Sequence, residues 1–136
     1  EQKLKDLQND GIIEYHGRQD NILPFMERVS CIIHPTYYPE GMSNVLLEAC
    51  ASGRPIITTE RAGCREIIDD TVNGFTIKEK DSDDLIDKLE KFISLSHEQK
   101  KAMGLAARAK VEKEFDRQIV VRKYVDELNI TYSVRV

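Results

Sequence analysis

Two glutamates, Glu40 and Glu48, stand eight positions apart in the segment Tyr38-Pro39-Glu40-Gly41-Met42-Ser43-Asn44-Val45-Leu46-Leu47-Glu48-Ala49. The segment reads as a loop that opens a helix. Gly41 lets the backbone take positive φ or approach a ligand closely. Ser43 or Asn44 is a natural N-cap, and the N–H groups of the first turn lack acceptors within the helix. With a dipole equivalent of ~+0.5 charge, such a helix start is a site for a phosphate. Side chains one turn in lean back toward the N-terminus, so Glu48 can reach past that site toward a polyol. Glu40 approaches the same place from the loop.

Two carboxylates flanking a phosphate-favouring helix end suit a ligand that is anionic in the middle and hydroxyl-rich at both ends. A nucleotide sugar has that shape. A carboxylate accepts paired hydrogen bonds from vicinal hydroxyls, each worth roughly 1.5–3 kcal/mol. Glu40 on the hexose and Glu48 on the ribose divide the work coherently. A ligand-free reading stands beside this one. A loop Glu before a helix favours the dipole by ~0.3–1 kcal/mol with nothing bound, and Glu48 can be a solvent-facing helix residue. Its neighbours Val45, Leu46, Leu47, Ala49 and Cys50 are apolar, however, and a charge in such company needs a partner. On the residues alone both readings remain open.

The elements that must position this segment follow from periodicity. β-rich runs occur at Gly11–Gly17, Cys31–Thr36, Pro55–Thr59 and Gly74–Ile77, the last after an Asn73-Gly74 turn signal. Between them Ile22, Phe25, Met26 and Val29 form one face of a short helix, with Pro24 in its first turn. A second helix carries Val45 to Ser52 and stops at Gly53, with Pro55 just beyond. Strands alternating with helices imply βαβ crossovers. The expected fold is α/β: a three-layer, Rossmann-like parallel sheet with helices on both faces, ending in C-terminal helices. A charged helical stretch, Gln2–Gln8, precedes the first run, and no Gly-rich phosphate turn precedes any strand. That opening implies either a small sheet or a chain that starts partway through a larger domain.

The remainder is helical. Asp81 or Ser82 caps a helix with the stripe Leu85, Ile86, Leu89, Phe92 and Ile93. Ser96-His97-Glu98-Gln99 is a capping box opening a helix over Glu98–Glu114. Asp116 caps a last helix carrying Val120, Val121, Tyr124, Val125 and Leu128. Thr131–Val136 has strand propensity but no obvious partner.

Composition narrows the function. The 136 residues are 40% hydrophobic and 32% charged, one domain's worth of chain with a real core. Twenty-four acidic against 20 basic side chains give a net charge of -4, which disfavours a strongly basic nucleic-acid or membrane-surface role but leaves room for a local basic patch. No apolar run approaches the ~20 residues of a membrane span, and Glu-Gln-Lys-Leu-Lys is no signal peptide. Cys31, Cys50 and Cys64 read as reduced core thiols of a cytoplasmic protein. His16, His34 and His97 show no ligand spacing, so no metal site is expected; His16 and His34 read as strand residues.

The segment resembles the Glu-x7-Glu signature of the large retaining glycosyltransferase family with the GT-B fold, family 4 or glycosyl transferases group 1. The surrounding order fits as well: a strand, Pro, Glu40-Gly41, Leu46-Leu47-Glu48-Ala49, Gly53-x-Pro55-Ile56-Ile57, Gly63-x-x-Glu66-Ile67-Ile68 and Asn73-Gly74-Phe75. The resemblance covers about residues 11–128. It implies that residues 1–128 are part of a C-terminal nucleotide-sugar-binding domain, with 129–136 a tail. It also implies that Glu40 holds hydroxyls of the donor sugar and is the catalytic position. Gly41, Met42, Ser43 and Asn44 would lie at the sugar and phosphates, Glu48 at the ribose, and Arg18 and Gln19 at the nucleobase. Gly63 and Glu66 resemble the family's Gly-Glu positions, although Glu66 also reads as an exposed residue in a first helical turn.

The activity implied is transfer of a hexose from a nucleoside-diphosphate sugar, UDP-linked, to a hydroxyl acceptor with retention and without a metal or other cofactor. The series Arg61-Ala62-Gly63-Cys64-Arg65-Glu66 resembles bacterial transferases that build surface polysaccharides. The partners implied are the nucleotide sugar and an acceptor glycan or lipid-linked glycan met through an N-terminal domain. Membrane association, at the inner face, would come only through the parent protein. The family's Arg and Lys for the donor diphosphate have no counterpart in this chain. These 136 residues alone are therefore expected to be inactive. Two other readings are a GT-B-fold UDP-sugar epimerase and an α/β interaction module without a ligand.

Overall fold

The computed structural model describes residues 2–39 and 41–133. A parallel sheet of three strands, β1 (Ile32–His34), β2 (Ile56–Thr59) and β3 (Gly74–Ile77), runs in the order β1-β2-β3. Six helices surround it among the described residues: α1 (Gln2–Asn9), α2 (Leu23–Arg28), α3 (Asn44–Ala51), α4 (Ser82–Ser94), α5 (His97–Glu114) and α6 (Arg117–Ser133).

Register explains why the strands are short and Ile-rich. Ile32 pairs with Ile56, and Ile57 pairs with Phe75. Successive side chains leave a strand on opposite faces, so Ile56 and Ile57, both fully buried, feed separate cores. Ile56 joins Met26, Leu46, Ala49, Cys50, Ile67 and Ala107 on the face covered by α2, α3 and α5. Ile57 joins Phe75, Ile77, Phe92 and Met103 on the face covered by α4 and the other side of α5. Both faces of β2 are thus sealed, as expected of a parallel sheet.

Local chemistry sets the helix ends. Pro24 lies in the first turn of α2. The Asp81 carboxylate accepts the Asp84 N–H at the start of α4, and Ser96 and Gln99 form the reciprocal capping box of α5. Gly53 has φ +67°, and the Gly53 and Arg54 N–H groups donate to the carbonyls of Cys50 and Ala49. That is a Schellman stop for α3.

Two expectations need correction. The run Gly11–Gly17 is not a strand. Gly11, with φ +70°, ends α1 in the same Schellman geometry, and the Gly11 and Ile12 N–H groups donate to Gln8 and Leu7. The first residues of the apolar run are consumed by that cap. Ile12 and Tyr15 are exposed, and no strand among the described residues offers the run a ladder. His16 is accordingly a loop residue, packed at 4.7 Å on the Phe25 ring. Finally, Thr131–Ser133 continue α6 as helix, and residues 134–136 lie outside the described residues. The α6 stripe of Val120, Val121, Tyr124, Val125 and Leu128 has the expected spacing but is exposed. Among the described residues no helix is long and apolar enough to cross a membrane.

Candidate functional site at the start of helix α3

The loop between β1 and α3 carries Pro39, Gly41 and Met42 and leaves the C-terminal edge of the sheet. In open α/β sheets ligands collect at that edge. Both ends of the loop are fixed. On the strand side, the Thr58 and Thr59 hydroxyls of β2 donate to the His34 and Thr36 carbonyls at 2.8 and 2.7 Å. On the helix side, the Ser43 N–H donates to the Gly63 carbonyl at 3.0 Å. Gly63 has φ +89°, and its own N–H donates to Glu66 Oε2 at 2.7 Å. The Glu66 carboxyl is held below the usual carboxylate range by its own backbone N–H, then by that of Gly63, with a smaller contribution from Arg65. Glu66 lies in a run of turns, Ala62–Ile67, where the sequence suggested a first helical turn. Its carboxylate braces the Gly63 peptide, which in turn holds the start of α3.

Ser43 is the N-cap of α3, in extended conformation, and is buried. Its side chain makes no capping bond. The first-turn N–H groups therefore have neither an intrahelical acceptor nor a side-chain cap from Ser43. Their dipole end is directed at the β1–α3 loop, where Gly41 and Met42 are exposed. Asn44 opens the helix and is exposed as well. Glu40 lies outside the described residues.

Glu48, one turn further on, is exposed. Its apolar neighbours divide around it: Leu46, Ala49 and Cys50 are buried in the core, while the carboxylate points away. It borders a cleft of about 400 Å³ lined also by Asp20, Asn21, Ile22, Leu23, Met26, Ala51 and Ser52. Arg18 and Gln19 lead directly into that wall and are exposed; the Gln19 side-chain amide donates to the His16 carbonyl and tightens the turn. The fold thus brings Glu48 and the last turn of α3 against Asp20–Leu23, whereas Arg18, Gln19, Gly41, Met42, Ser43 and Asn44 do not line that cleft. Sequence reasoning missed Asp20–Leu23 and Ser52 as cleft residues. Asn21 carried the only local signal: its side chain accepts the Leu23 N–H at the start of α2.

The cysteines take no part. Cys31, Cys50 and Cys64 are free thiols, and burial pushes Cys31 and Cys50 up to about 12. Among the described residues no group of His, Cys, Asp or Glu is arranged to hold a metal.

Comparison with known proteins bears on the fold and the family. The chain is 28% identical, over 118 residues, to the N,N'-diacetylbacillosaminyl-diphospho-undecaprenol alpha-1,3-N-acetylgalactosaminyltransferase of Campylobacter jejuni, covering 86% of this chain and 30% of that protein. It is 29% identical over 113 residues to the capsular polysaccharide biosynthesis glycosyltransferase CapM of Staphylococcus aureus, covering 83% and 29%. The chain therefore spans about a third or less of the length of these relatives. Among solved structures, HepE of Anabaena in complex with UDP superposes with a TM-score of 0.84 at 21% identity, covering 94% of this chain and 35% of that one. The sucrose-phosphate synthase of Thermosynechococcus elongatus superposes at 0.82 with 16% identity, covering 98% and 34%. The architecture is that of the C-terminal domain of GT-B glycosyltransferases. Residues 1–94 match the family model described as "Glycosyl transferases group 1", and on that match across more than half its length the chain belongs to this family.

Proposed function

We propose that the chain is the donor-binding part of a retaining, metal-independent hexosyltransferase of family 4. In this reading it takes a UDP-linked hexose or N-acetylhexosamine and delivers it to a hydroxyl of a glycan or lipid-linked glycan during bacterial surface polysaccharide synthesis. The observation that carries the reading is the placement of Glu48. It is a charged residue in an apolar helix, exposed beside the helix start and opening onto a cleft walled by the turn that follows Arg18 and Gln19. The names of the relatives support it. One transfers N-acetylgalactosamine to an undecaprenol-linked acceptor, and a protein of like fold was crystallised with UDP-glucose.

The division of labour is as follows. The first-turn N–H groups of α3 and the backbone at Gly41, Met42 and Ser43 receive the diphosphate, and Asn44 borders it. Glu48 accepts hydrogen bonds from the two ribose hydroxyls, and the base lies against the Arg18–Gln19 turn. Glu40 holds the hexose hydroxyls next to the anomeric carbon. As the donor bond breaks, charge grows on the leaving diphosphate, and fixed N–H dipoles meet it without reorganising; removing donors of that kind typically costs ~10²–10³ in rate. These 136 residues alone bind the nucleotide without turning it over.

A titration of the chain with UDP followed by amide NMR tests the assignment. Shifts are expected at Gly41–Asn44, Glu48 and Asp20–Leu23. Shifts confined to α4, α5 or α6 would sink it.

A further inference from the structure

At the opposite, N-terminal edge of the sheet lies a second groove, of about 450 Å³, between the end of α3 and the start of α5. Its walls carry Arg54, His97, Lys100, Lys101 and Arg108, and no Asp or Glu is among the described residues that line it. In a chain whose net charge is -4, so one-sided a lining is a local reversal of sign.

Main-chain carbonyls hold three of the cations, and Arg108 also pairs with the Glu112 carboxylate. The Arg54 guanidinium donates to the Glu27 carbonyl at 2.8 Å, and its buried Nε has no acceptor. Arg108 Nη1 donates to the Ala51 carbonyl at 3.0 Å, so the last turn of α3 fixes it; its Nε goes to the exposed Glu112. Lys100 Nζ donates to the Ile93 carbonyl at 3.0 Å and lies over the Phe92 ring. Lys101 and His97 are exposed on the first two turns of α5, where the helix dipole adds positive potential. Arg54, just past the end of α3, thus shares the groove with a row of cations on α5, Lys100, Lys101 and Arg108. That arrangement suits the tetrahedral, multiply charged oxygens of a phosphate.

We infer that this groove binds a phosphate-bearing anion, at a site separate from the one at the start of α3. A soluble phosphate ester and the headgroup of an anionic lipid share that chemistry. The inference does not depend on the proposed function, because the groove lies beyond the opposite ends of β1 and β2.

Two parallel measurements test it, each on the protein, on Lys101→Glu and on Lys123→Glu. The Lys123 substitution makes the same change of charge on α6, away from the groove. In the first, inorganic pyrophosphate is titrated in low salt and amide shifts are followed. In the second, the protein is sedimented with vesicles of equal parts phosphatidylcholine and phosphatidylglycerol, or of phosphatidylcholine alone.

Pyrophosphate shifts at Gly53–Arg54 and His97–Lys101, weakened about tenfold by Lys101→Glu and left within about twofold by Lys123→Glu, support a soluble ligand. The factor is that of one charge-assisted hydrogen bond. Sedimentation only with the anionic vesicles, lost in Lys101→Glu and kept in Lys123→Glu, supports a lipid headgroup. Equal weakening by both substitutions, or no binding in either measurement, overturns the inference. Pyrophosphate shifts confined to Gly41–Asn44 overturn it as well, without touching the donor-site reading.

Discussion

The Ser43 N–H and the Gly63 carbonyl, 3.0 Å apart, join the start of α3 to a turn twenty residues later in the chain. The turn is itself braced, because the Gly63 N–H donates to the Glu66 carboxylate. The candidate site is thus set by a chain of three hydrogen-bonded groups, and only the last of them, Glu66, is an ionisable side chain.

Glu66→Ala should therefore weaken UDP binding without contributing a contact of its own, by roughly fivefold, the scale of one lost hydrogen bond. Glu66→Gln keeps an acceptor for the Gly63 N–H and should recover most of the loss. A calorimetric titration of the three proteins decides the point. Equal affinity in all three would show that the turn holds its shape without the brace.

The same carboxylate gives a pH dependence with a fixed sign. Its folded-state pKa lies below the ordinary value of 4.5, so the folded form binds the proton less readily than the unfolded chain. The stabilisation is complete above the ordinary value and is lost as pH falls toward the depressed one. Amide exchange at Gly63 should accelerate over that acid window relative to Glu66→Gln. Identical pH profiles would remove Glu66 from this role.

Glu48→Ala should lower UDP affinity by roughly 10–100-fold, the worth of a charge-assisted pair of hydrogen bonds. It should leave the melting temperature close to that of the parent, because the side chain is exposed and its loss opens no cavity. The discriminating ligand is 2′,3′-dideoxy-UDP. The parent and the variant should bind it equally, since the hydroxyls that Glu48 would hold are gone. A variant that still discriminates against it would move the ribose elsewhere.

Much of this arrangement was legible in the chain, for reasons that differ by element. β2 and β3 were readable because runs such as Pro-Ile-Ile-Thr-Thr are buried on both faces and carry no competing period. The helix ends were readable because caps are local chemistry, as at Asp81, Ser96 and Gly53. The run at Gly11 failed because a strand depends on a distant partner, whereas a Schellman cap needs only the residues before it. At the site, Glu48 could be placed from its own helix. The tie from Ser43 to Gly63 could not, since backbone bonds between distant segments leave no trace in side-chain type. The cleft wall at Asp20–Leu23 was hidden for the same reason.

Burial of the thiols predicts behaviour in alkali. Desolvation pushes Cys31 and Cys50 from an ordinary 9.0 up to about 12. Because the folded state holds these protons more tightly, the stabilisation is complete below 9.0 and declines as pH rises toward about 12. Iodoacetamide at pH 8 should leave Cys50 unmodified in the folded protein and label it once urea unfolds the chain. Rapid labelling of Cys50 without denaturant would contradict the packing of α3 described above.

Gly104 offers the sharpest test of that packing, since two effects of known sign oppose each other there. In an isolated helix Gly→Ala is favourable by ~1 kcal/mol. In this fold a Cβ on Gly104 would lie 2.2 Å from the Gly53 carbonyl oxygen and 3.1 Å from its carbon. The obstacle is backbone, in the turn that ends α3, so α5 must withdraw from α3 or the turn must move. Overpacking typically costs ~1–3 kcal/mol, and this contact belongs at or above the upper end because no flexible side chain can yield. The contact should win: Gly104→Ala is expected to destabilise the protein by about 2 kcal/mol in urea unfolding, despite its better helix propensity. Because the shift would reach Ser52 and Gly53 before it reached Ser43, UDP affinity should fall less than stability does. An unchanged or raised urea midpoint would mean that α3 and α5 are not in the close contact that positions the candidate site.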